Sequence, residues 1–291
     1  MPELQLSFHG TFVLKKEDLL RILQAATEEK GLTGNRQDLI ERTGLGNEKV
    51  LRIKGWAIRC GLVSGDRLSP EGEVVWRCDR YLQSPITDWL MHFYLSFGTQ
   101  GHKTYKGVGT TLESPPEKPA NWGGWTYFVY NFLPQYPTFT LIQLVQHSAR
   151  VFEQETEKRL TENFTVLLKT YALPLNRSQL SPLRSCRFLT LTEDQFSAGQ
   201  SNLPNPYVIG YFLAKLWQRD FGDTTSVLTN DILKQPLGLS SVLGIPIETL
   251  QSCLNHLETL AVIEQRRTVS PAQIIRRWDN PLTLLEKAYA N

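Results

Sequence analysis

The stretch Thr33 to Gly72, TGNRQDLIERTGLGNEKVLRIKGWAIRCGLVSGDRLSPEG, constrains this chain more than any other, because its glycines and caps cut it into short helices and a hairpin. Gln37 to Thr43 has the composition of a short helix. Gly44-Leu45-Gly46 supplies a turn needing positive φ, which glycine adopts without a Cβ clash. Asn47 can then cap a second helix by accepting an orphan backbone N–H. In that helix Val50, Ile53, Ala57 and Cys60 recur at helical spacing and define a buried face. Glu48, Arg52, Gly55 and Arg59 lie roughly opposite, with Lys49 at the flank. Gly61 ends the helix. Leu62-Val63 and Arg67-Leu68 can pair across Ser64-Gly65-Asp66 as a wing, and Ser69-Pro70 opens the next helix with a cap and a first-turn proline. This is the pattern of a winged helix-turn-helix. A helix with arginines on its outer face fits the DNA major groove. The same shape also serves to pack against protein, and the residues alone leave both uses open.

A chain of 291 residues is too long for one such unit and suits two or three small domains. With a net charge of only +2, a nucleic-acid site has to be a local patch. Residues 33–67 carry seven Lys/Arg against four Asp/Glu, a modest excess of the required sign. Cys60, Cys78, Cys186 and Cys253 are far apart and form no Cys/His set with zinc spacing. Buried free thiols in a reducing cytoplasm are therefore expected. The N-terminal residues lack the pattern of a secretory signal, and no apolar run approaches the ~18 residues of a membrane span.

Along the chain, a helix is expected from about Lys16 to Glu29, burying Leu19, Leu20, Ile22 and Leu23. A largely apolar one from about Asp88 to Phe97 holds His92, which reads as a satisfied core histidine. Residues 98–124, rich in glycine and proline, read as a long flexible loop. There Lys103, Tyr105 and Lys106 could meet a phosphate backbone or simply be solvated. The aromatic run Trp122–Phe132 reads as core or a domain junction. A second helical unit, Thr138–Leu173, carries the apolar stripe Leu160, Phe164, Leu167, Tyr171. Residues 174–206 read as a connector with one short strand, Arg187–Leu191. After a helix at Tyr207–Arg219, the segment Asp220–Trp278 repeats the winged pattern, with short helices at Thr229–Leu233 and Leu239–Leu243. Its third helix, Pro246–Leu260, presents Glu248, Gln251, Asn255 and Glu258 but no Lys or Arg. Arg266, Arg267, Arg276 and Arg277 cluster on its wing instead, where they can grip phosphates or pair with nearby acids. The expected architecture is thus mainly α with small β wings, in tandem winged helix-turn-helix units. The divisions are a winged DNA-binding domain at 1–97, the loop at 98–124, a helical middle domain at 125–219 and a C-terminal winged domain at 220–291.

Several segments together resemble a bacterial and phage family of domains of unknown function encoded beside PAPS-reductase-like genes. The matching pieces are Leu6 to Phe12, the winged unit ending in Leu68-Ser69-Pro70-Glu71-Gly72, Asp79-Arg80-Tyr81-Leu82, Pro85 to Leu90, Trp125 to Phe132, and Val269 to Leu285 with its Ile274-Ile275-Arg276-Arg277. They occur in order over nearly the whole chain. The family resembles the B components of Ssp DNA phosphorothioation systems, in which sulfur replaces a non-bridging phosphate oxygen. The resemblance implies a double-stranded DNA ligand, nicking of one strand as the activity, a role in DNA modification and antiphage defence, and partners among the sulfur-transfer and ATPase subunits. Mg²⁺ or Mn²⁺ would be needed if the chain nicks DNA; no other cofactor is implied. Residues 99–124 are longer than the family's usual link, and no catalytic motif carries over.

Metal-dependent phosphodiester cleavage needs carboxylates or histidines close together. The chain has no H-N-H pattern and no PD…D/E-x-K set. Glu153, Glu155 and Glu157 would spread over a helical surface rather than converge. No Rossmann fingerprint or P-loop lysine is present, so ATP use and sulfur activation are not expected here. The nucleic-acid candidates are Asn47, Lys49, Arg52, Arg59, Arg67, Lys103, Lys106 and the four wing arginines. Against a DNA-binding, nicking subunit stands a non-catalytic scaffold or transcription regulator of the same shape.

Overall fold

The computed structural model describes residues 7–97 and 124–290, except 177, 178, 236 and 269. The loop expected at 98–124 lies outside them but for Gly124. The first unit follows its sequence almost residue for residue: α1 (Lys16–Thr27), α2 (Arg36–Thr43), α3 (Asn47–Arg59), a hairpin of β1 (Val63–Ser64) and β2 (Arg67–Leu68), then α4 (Pro70–Cys78). Asn35 caps α2 by accepting the Asp38 N–H at 2.9 Å. Gly44, at φ 63°, ends it in the left-handed region. Asn47 does not cap α3; Gly46 precedes the helix in an extended conformation and Asn47 is its first residue. Ser69 caps α4 as expected, accepting from the Gly72 N–H at 2.8 Å.

Two glycines fix how this unit meets its surroundings. Gly61 sits at φ 72°, and a Cβ there would lie 2.4 Å from the Tyr94 ring. Gly72 is pressed so closely on the start of the hairpin that a Cβ would lie 1.9 Å from the Leu62 carbonyl oxygen. Both positions require the missing side chain, one for backbone conformation and both for approach.

The ring behind Gly61 belongs to α5 (Pro85–Phe97), in which every residue from Thr87 onward is buried. Beside it runs a helical stretch, α6 (Gly124–Thr126), a π-helix (Tyr127–Phe132) and α7 (Leu133–Gln135). Its aromatic residues Trp125, Tyr127, Phe128, Tyr130 and Phe132 are all buried, so the run is core. Next come α8 (Leu141–Ala149), opened by a Thr140–Gln143 capping box, and α9 (Glu157–Tyr171). The apolar stripe of α9 is fully buried.

The connector is more ordered than its prolines imply. It contains the 3-10 turn Arg184–Cys186 and two strands, β4 (Leu189–Thr192) and β5 (Gln195–Ala198), where one was expected. They form a three-stranded antiparallel sheet with β3 (Thr138–Phe139), in the order β3-β5-β4. Phe139 faces Phe196 in register, and that distant pairing turns four ordinary residues into a strand.

The rest comprises α10 (Pro206–Phe221), β6 (Ser226–Leu228), α11 (Thr229–Leu233), α12 (Leu239–Leu243), α13 (Ile247–Thr259), β7 (Ile263–Arg266), β8 (Gln273–Arg276) and α14 (Pro281–Ala290). The hairpin after α13 gains a third strand, in the order β6-β8-β7. Helix α14 packs on α10 and also on α4, so the C-terminal helix meets the first unit. The fold is mainly helical with small antiparallel sheets. Buried apolar residues from every part join one core. All four cysteines are free thiols, three of them buried. No helix among the described residues is long and apolar enough to cross a membrane.

Two buried polar clusters knit this core. Glu71 on α4 is 6% exposed. Its Oε1 lies 2.8 Å from the Tyr94 phenol, 2.6 Å from the Tyr211 phenol and 3.1 Å from Lys215 Nζ. The two phenols are 2.6 Å from each other. Burial alone would raise the Glu71 carboxyl; Lys215 and the two hydroxyls outweigh it and hold it below the ordinary range. The second cluster centres on His92, whose Nε2 lies 2.8 Å from the Val242 carbonyl and whose Nδ1 lies 2.8 Å from the Tyr171 phenol. Nε2–H must donate to that carbonyl, so Nδ1 accepts from Tyr171, which in turn accepts from Trp125 Nε1 at 2.9 Å. His92 is the satisfied core histidine its sequence setting suggests.

Two stability experiments follow. Replacing Lys215 with Met strands a buried carboxylate and should cost about 3 kcal/mol in urea unfolding, part of which Glu71→Gln in the same chain restores. An unchanged midpoint in the single variant would contradict the role given to this pair. The second concerns pH. Burial lowers His92 to about 4, and likewise His9. Between there and the unfolded value near 6.5 the unfolded chain holds the proton, so this stability is full above 6.5 and lost as pH falls. Asp88, pushed up to about 6 mainly by burial, acts oppositely, but it is one group against two. Unfolding free energy should therefore drop from pH 7 to pH 5, less steeply in His92→Gln. Equal slopes would show that His92 takes up its proton in the folded state.

Candidate nucleic-acid interface

The N-terminal end of α3 is the open part of that helix. Gly46, Asn47 and Glu48 are exposed, and Leu51 is 43% exposed despite its apolar side chain. Around this tip stand the flanking cations. Lys49 reaches back to Asp18 on α1 at 2.8 Å. Arg52 is half-buried beside Gly10, where a Cβ would come within 3.2 Å of its Nε.

The second half of the same face is covered, which corrects the expectation that Gly55 and Arg59 point outward. The 3-10 turn Ser7–His9 crosses it. Arg59 is only 8% exposed and sits over the Phe8 ring at 5.2 Å. A Cβ on Gly55 would lie 3.3 Å from the Phe8 carbonyl oxygen. His9 stacks on Trp56 at 5.7 Å, and Trp56 Nε1 donates to the Phe12 carbonyl at 3.0 Å. Helical spacing shows which residues share a face; it cannot show that Phe8, nearly fifty positions away, buries half of it.

Most other basic residues of the first unit are engaged within it. Arg67, on the wing, is exposed but donates to the Glu28 and Glu29 carbonyls at the end of α1. Lys54 pairs with Asp66 at 2.7 Å, Arg42 with Glu28 at 2.7 Å and Arg36 with Glu48 at 3.1 Å. Lys103 and Lys106 lie outside the described residues.

The four arginines of the C-terminal wing do come together, among acids. Arg266, at 3.0 Å, and Arg277 share Glu264, whose carboxyl they hold below its ordinary range. Arg267 pairs with Glu258 at 2.8 Å and also donates to Asn255. Arg276 donates to the Asp223 carbonyl at 3.1 Å. On α13, Gln251, Asn255 and Glu258 are tied to Gln265 of β7, so its polar face is spent on its own wing.

Arg184 and Arg187 were missed in the sequence. Both are exposed and three residues apart around the 3-10 turn, and neither makes an ion pair among the described residues. The signal was there as Arg-Ser-Cys-Arg, inside a stretch read as mere connector. Among the described residues no three His, Cys, Asp or Glu side chains converge to hold a metal ion. Glu155 pairs with Arg159 at 3.1 Å, and Glu153 and Glu157 are exposed beside it. A cavity of about 380 Å³ between Val129, Leu133, Phe188 and Ile245 has no ionisable side chain in its lining.

Comparison with known structures supports the fold. A magnesium ion-bound SspB crystal structure superposes with a TM-score of 0.72 at 16% sequence identity, covering 98% of this chain and 88% of that one. A second SspB crystal structure gives 0.71 at 18% identity over the same shares. No curated protein matches the chain. The profile of the family described as a protein of unknown function, DUF4007, matches residues 6–289, and the chain belongs to that family.

Proposed function

We propose that this chain is the duplex-DNA-binding component of a bacterial DNA phosphorothioation system, and that its units at 1–97 and 220–291 are winged helix-turn-helix modules. The observation that carries the reading is the open tip of α3, with Asn47 exposed and Lys49 and Arg52 at its flanks. In helix-turn-helix proteins the first residues of the recognition helix meet the base edges, so covering the helix's far half does not close the site. The likeness of fold to SspB and the resemblance of the ordered motifs support the same reading. Nicking of one strand, to admit sulfur, is the activity proposed with it. The middle residues 125–219 join the two modules, and the C-terminal module is assigned to protein contact, since the α13 face is acidic and its wing arginines are engaged, three by acids and Arg276 by the Asp223 carbonyl.

Single-strand nicking is tested with supercoiled plasmid and the pure protein. Open circles should form with Mg²⁺ or Mn²⁺ and not with EDTA; intact plasmid in every lane would favour a non-catalytic scaffold or regulator. The DNA contact is tested by Asn47→Glu with Leu51→Glu. Both positions are exposed, so thermal stability should hold, while two new negative charges facing phosphates should weaken duplex binding by about tenfold or more. Unchanged affinity in the folded variant would remove α3 from the interface.

The division of labour has its own experiment. Glu264→Gln releases Arg266 and Arg277 from their shared acid. Duplex affinity should stay the same if the C-terminal module contacts protein. A marked gain would show that the wing arginines grip DNA.

A further inference from the structure

The cations expected to hold DNA are mostly committed to acids or carbonyls. Arg184 and Arg187, on the turn Arg184–Cys186 and at its end, are exposed and make no ion pair among the described residues. This turn is firmly held. Cys186 is fully buried, and its carbonyl accepts from the Asn202 N–H at 2.8 Å. The Asn202 carbonyl in turn accepts from Trp89 Nε1 at 2.9 Å. Arg187 closes the turn in the left-handed region at φ 47°, its N–H donating to the Arg184 carbonyl at 3.1 Å, so the two exposed arginines bracket one tight turn.

The turn is also tied to the first turn of α1. Asp88, 2% exposed, lies 2.5 Å from Lys16 Nζ and accepts from Ser185 Oγ at 2.5 Å. Ser185 stands between the two arginines in sequence. Two residues beyond Lys16, Asp18 takes Lys49 from the tip of α3. Contacts thus run without a break from α3, across α1, to Arg184 and Arg187. The two acids within this path, Asp18 and Asp88, are matched by Lys49 and Lys16. Lys15, half-buried on the same turn of α1, makes no ion pair among the described residues. Exposed Glu17 offsets one charge, which leaves Lys15, Arg184 and Arg187 with a net excess of two.

We propose that Arg184 and Arg187 form a second phosphate-binding station, which carries the DNA backbone from the tip of α3 over the first turn of α1 and onto the middle of the chain. It rests on the reading of the chain as a duplex-DNA binder. It extends the footprint beyond one winged module, and the ligand it takes is the sugar–phosphate backbone, without base preference. Guanidinium groups on a tethered turn suit this work, since little conformational freedom is lost on binding.

The test is binding of the full chain to a fluorescent duplex across a salt series, for wild type, Arg184→Gln with Arg187→Gln, and Arg184→Lys with Arg187→Lys. The glutamine pair should bind about tenfold more weakly at low salt. Its log–log salt slope should be shallower by ~1.8, the loss of two phosphate contacts. The lysine pair keeps both charges and should retain most of the slope. Circular dichroism shows whether each variant is folded. Wild-type affinity and slope in the glutamine pair would overturn the station while leaving the DNA reading intact. Equal loss in both pairs would overturn it too, because charge would not be the cause. Failure of the wild-type chain to bind duplex at all would overturn the DNA reading and the station with it.

Discussion

Glu71 is where the first unit is tied to helix α10. A carboxylate on α4, shut away from water, is stable only with its charge met, and Lys215 on α10 meets it while Tyr94 of α5 and Tyr211 of α10 supply hydroxyls. Tyr94 is also the ring that rests on Gly61 at the end of α3. The helix whose tip is proposed to meet DNA is therefore anchored, through one aromatic side chain, to the cluster that fixes α10. Helix α14 closes the arrangement by packing on both α4 and α10. Such a cluster is poor evidence for added stability, since an apolar replacement can be as stable. Its value is specificity: Glu71, Tyr94, Tyr211 and Lys215 come together in one relative placement of three helices.

The same logic explains why a basic sequence segment became a nearly neutral surface. The excess of Lys and Arg over residues 33–67 was real, but ion pairs absorb it: Lys49 with Asp18, Lys54 with Asp66, Arg42 with Glu28. The cations of these pairs are half-buried, with side chains 18–32% exposed. The pairs set where positive potential remains. Lys15, Arg184 and Arg187, beside the path from α3 across α1, are among the cations that make no ion pair within the described residues. A DNA backbone would meet cations on three separate elements held in fixed relation by Asp88 and Asp18.

Local structure was legible wherever glycines and caps punctuate it. Ser69-Pro70 and Gly61 fell where the residues placed them, the wing hairpin formed with Ser64 in its first strand and a loop of Gly65-Asp66 rather than Ser64-Gly65-Asp66, and His92 was rightly read as core. Features set by distant contacts were not legible. Arg59 looked exposed until Phe8 covered it. Strand β5 had no visible reason to form until Phe196 met Phe139, whereas β4 overlaps the strand expected at Arg187–Leu191. Part of the candidate site was readable as well: the tip of α3 and the cluster of wing arginines. Which cations stay uncommitted was not, because pairing is decided by acids such as Asp18, Glu258 and Glu264, whose positions follow from the tertiary fold.

The most direct measurement is hydrogen–deuterium exchange of the full chain with and without duplex DNA. Backbone amides around the tip of α3, at the first turn of α1 and at the turn holding Arg184 and Arg187 should slow together when duplex is added, while α13 stays unchanged. Protection confined to α13 and the C-terminal wing, or none anywhere under conditions where the duplex is bound, would contradict this account of where the DNA lies.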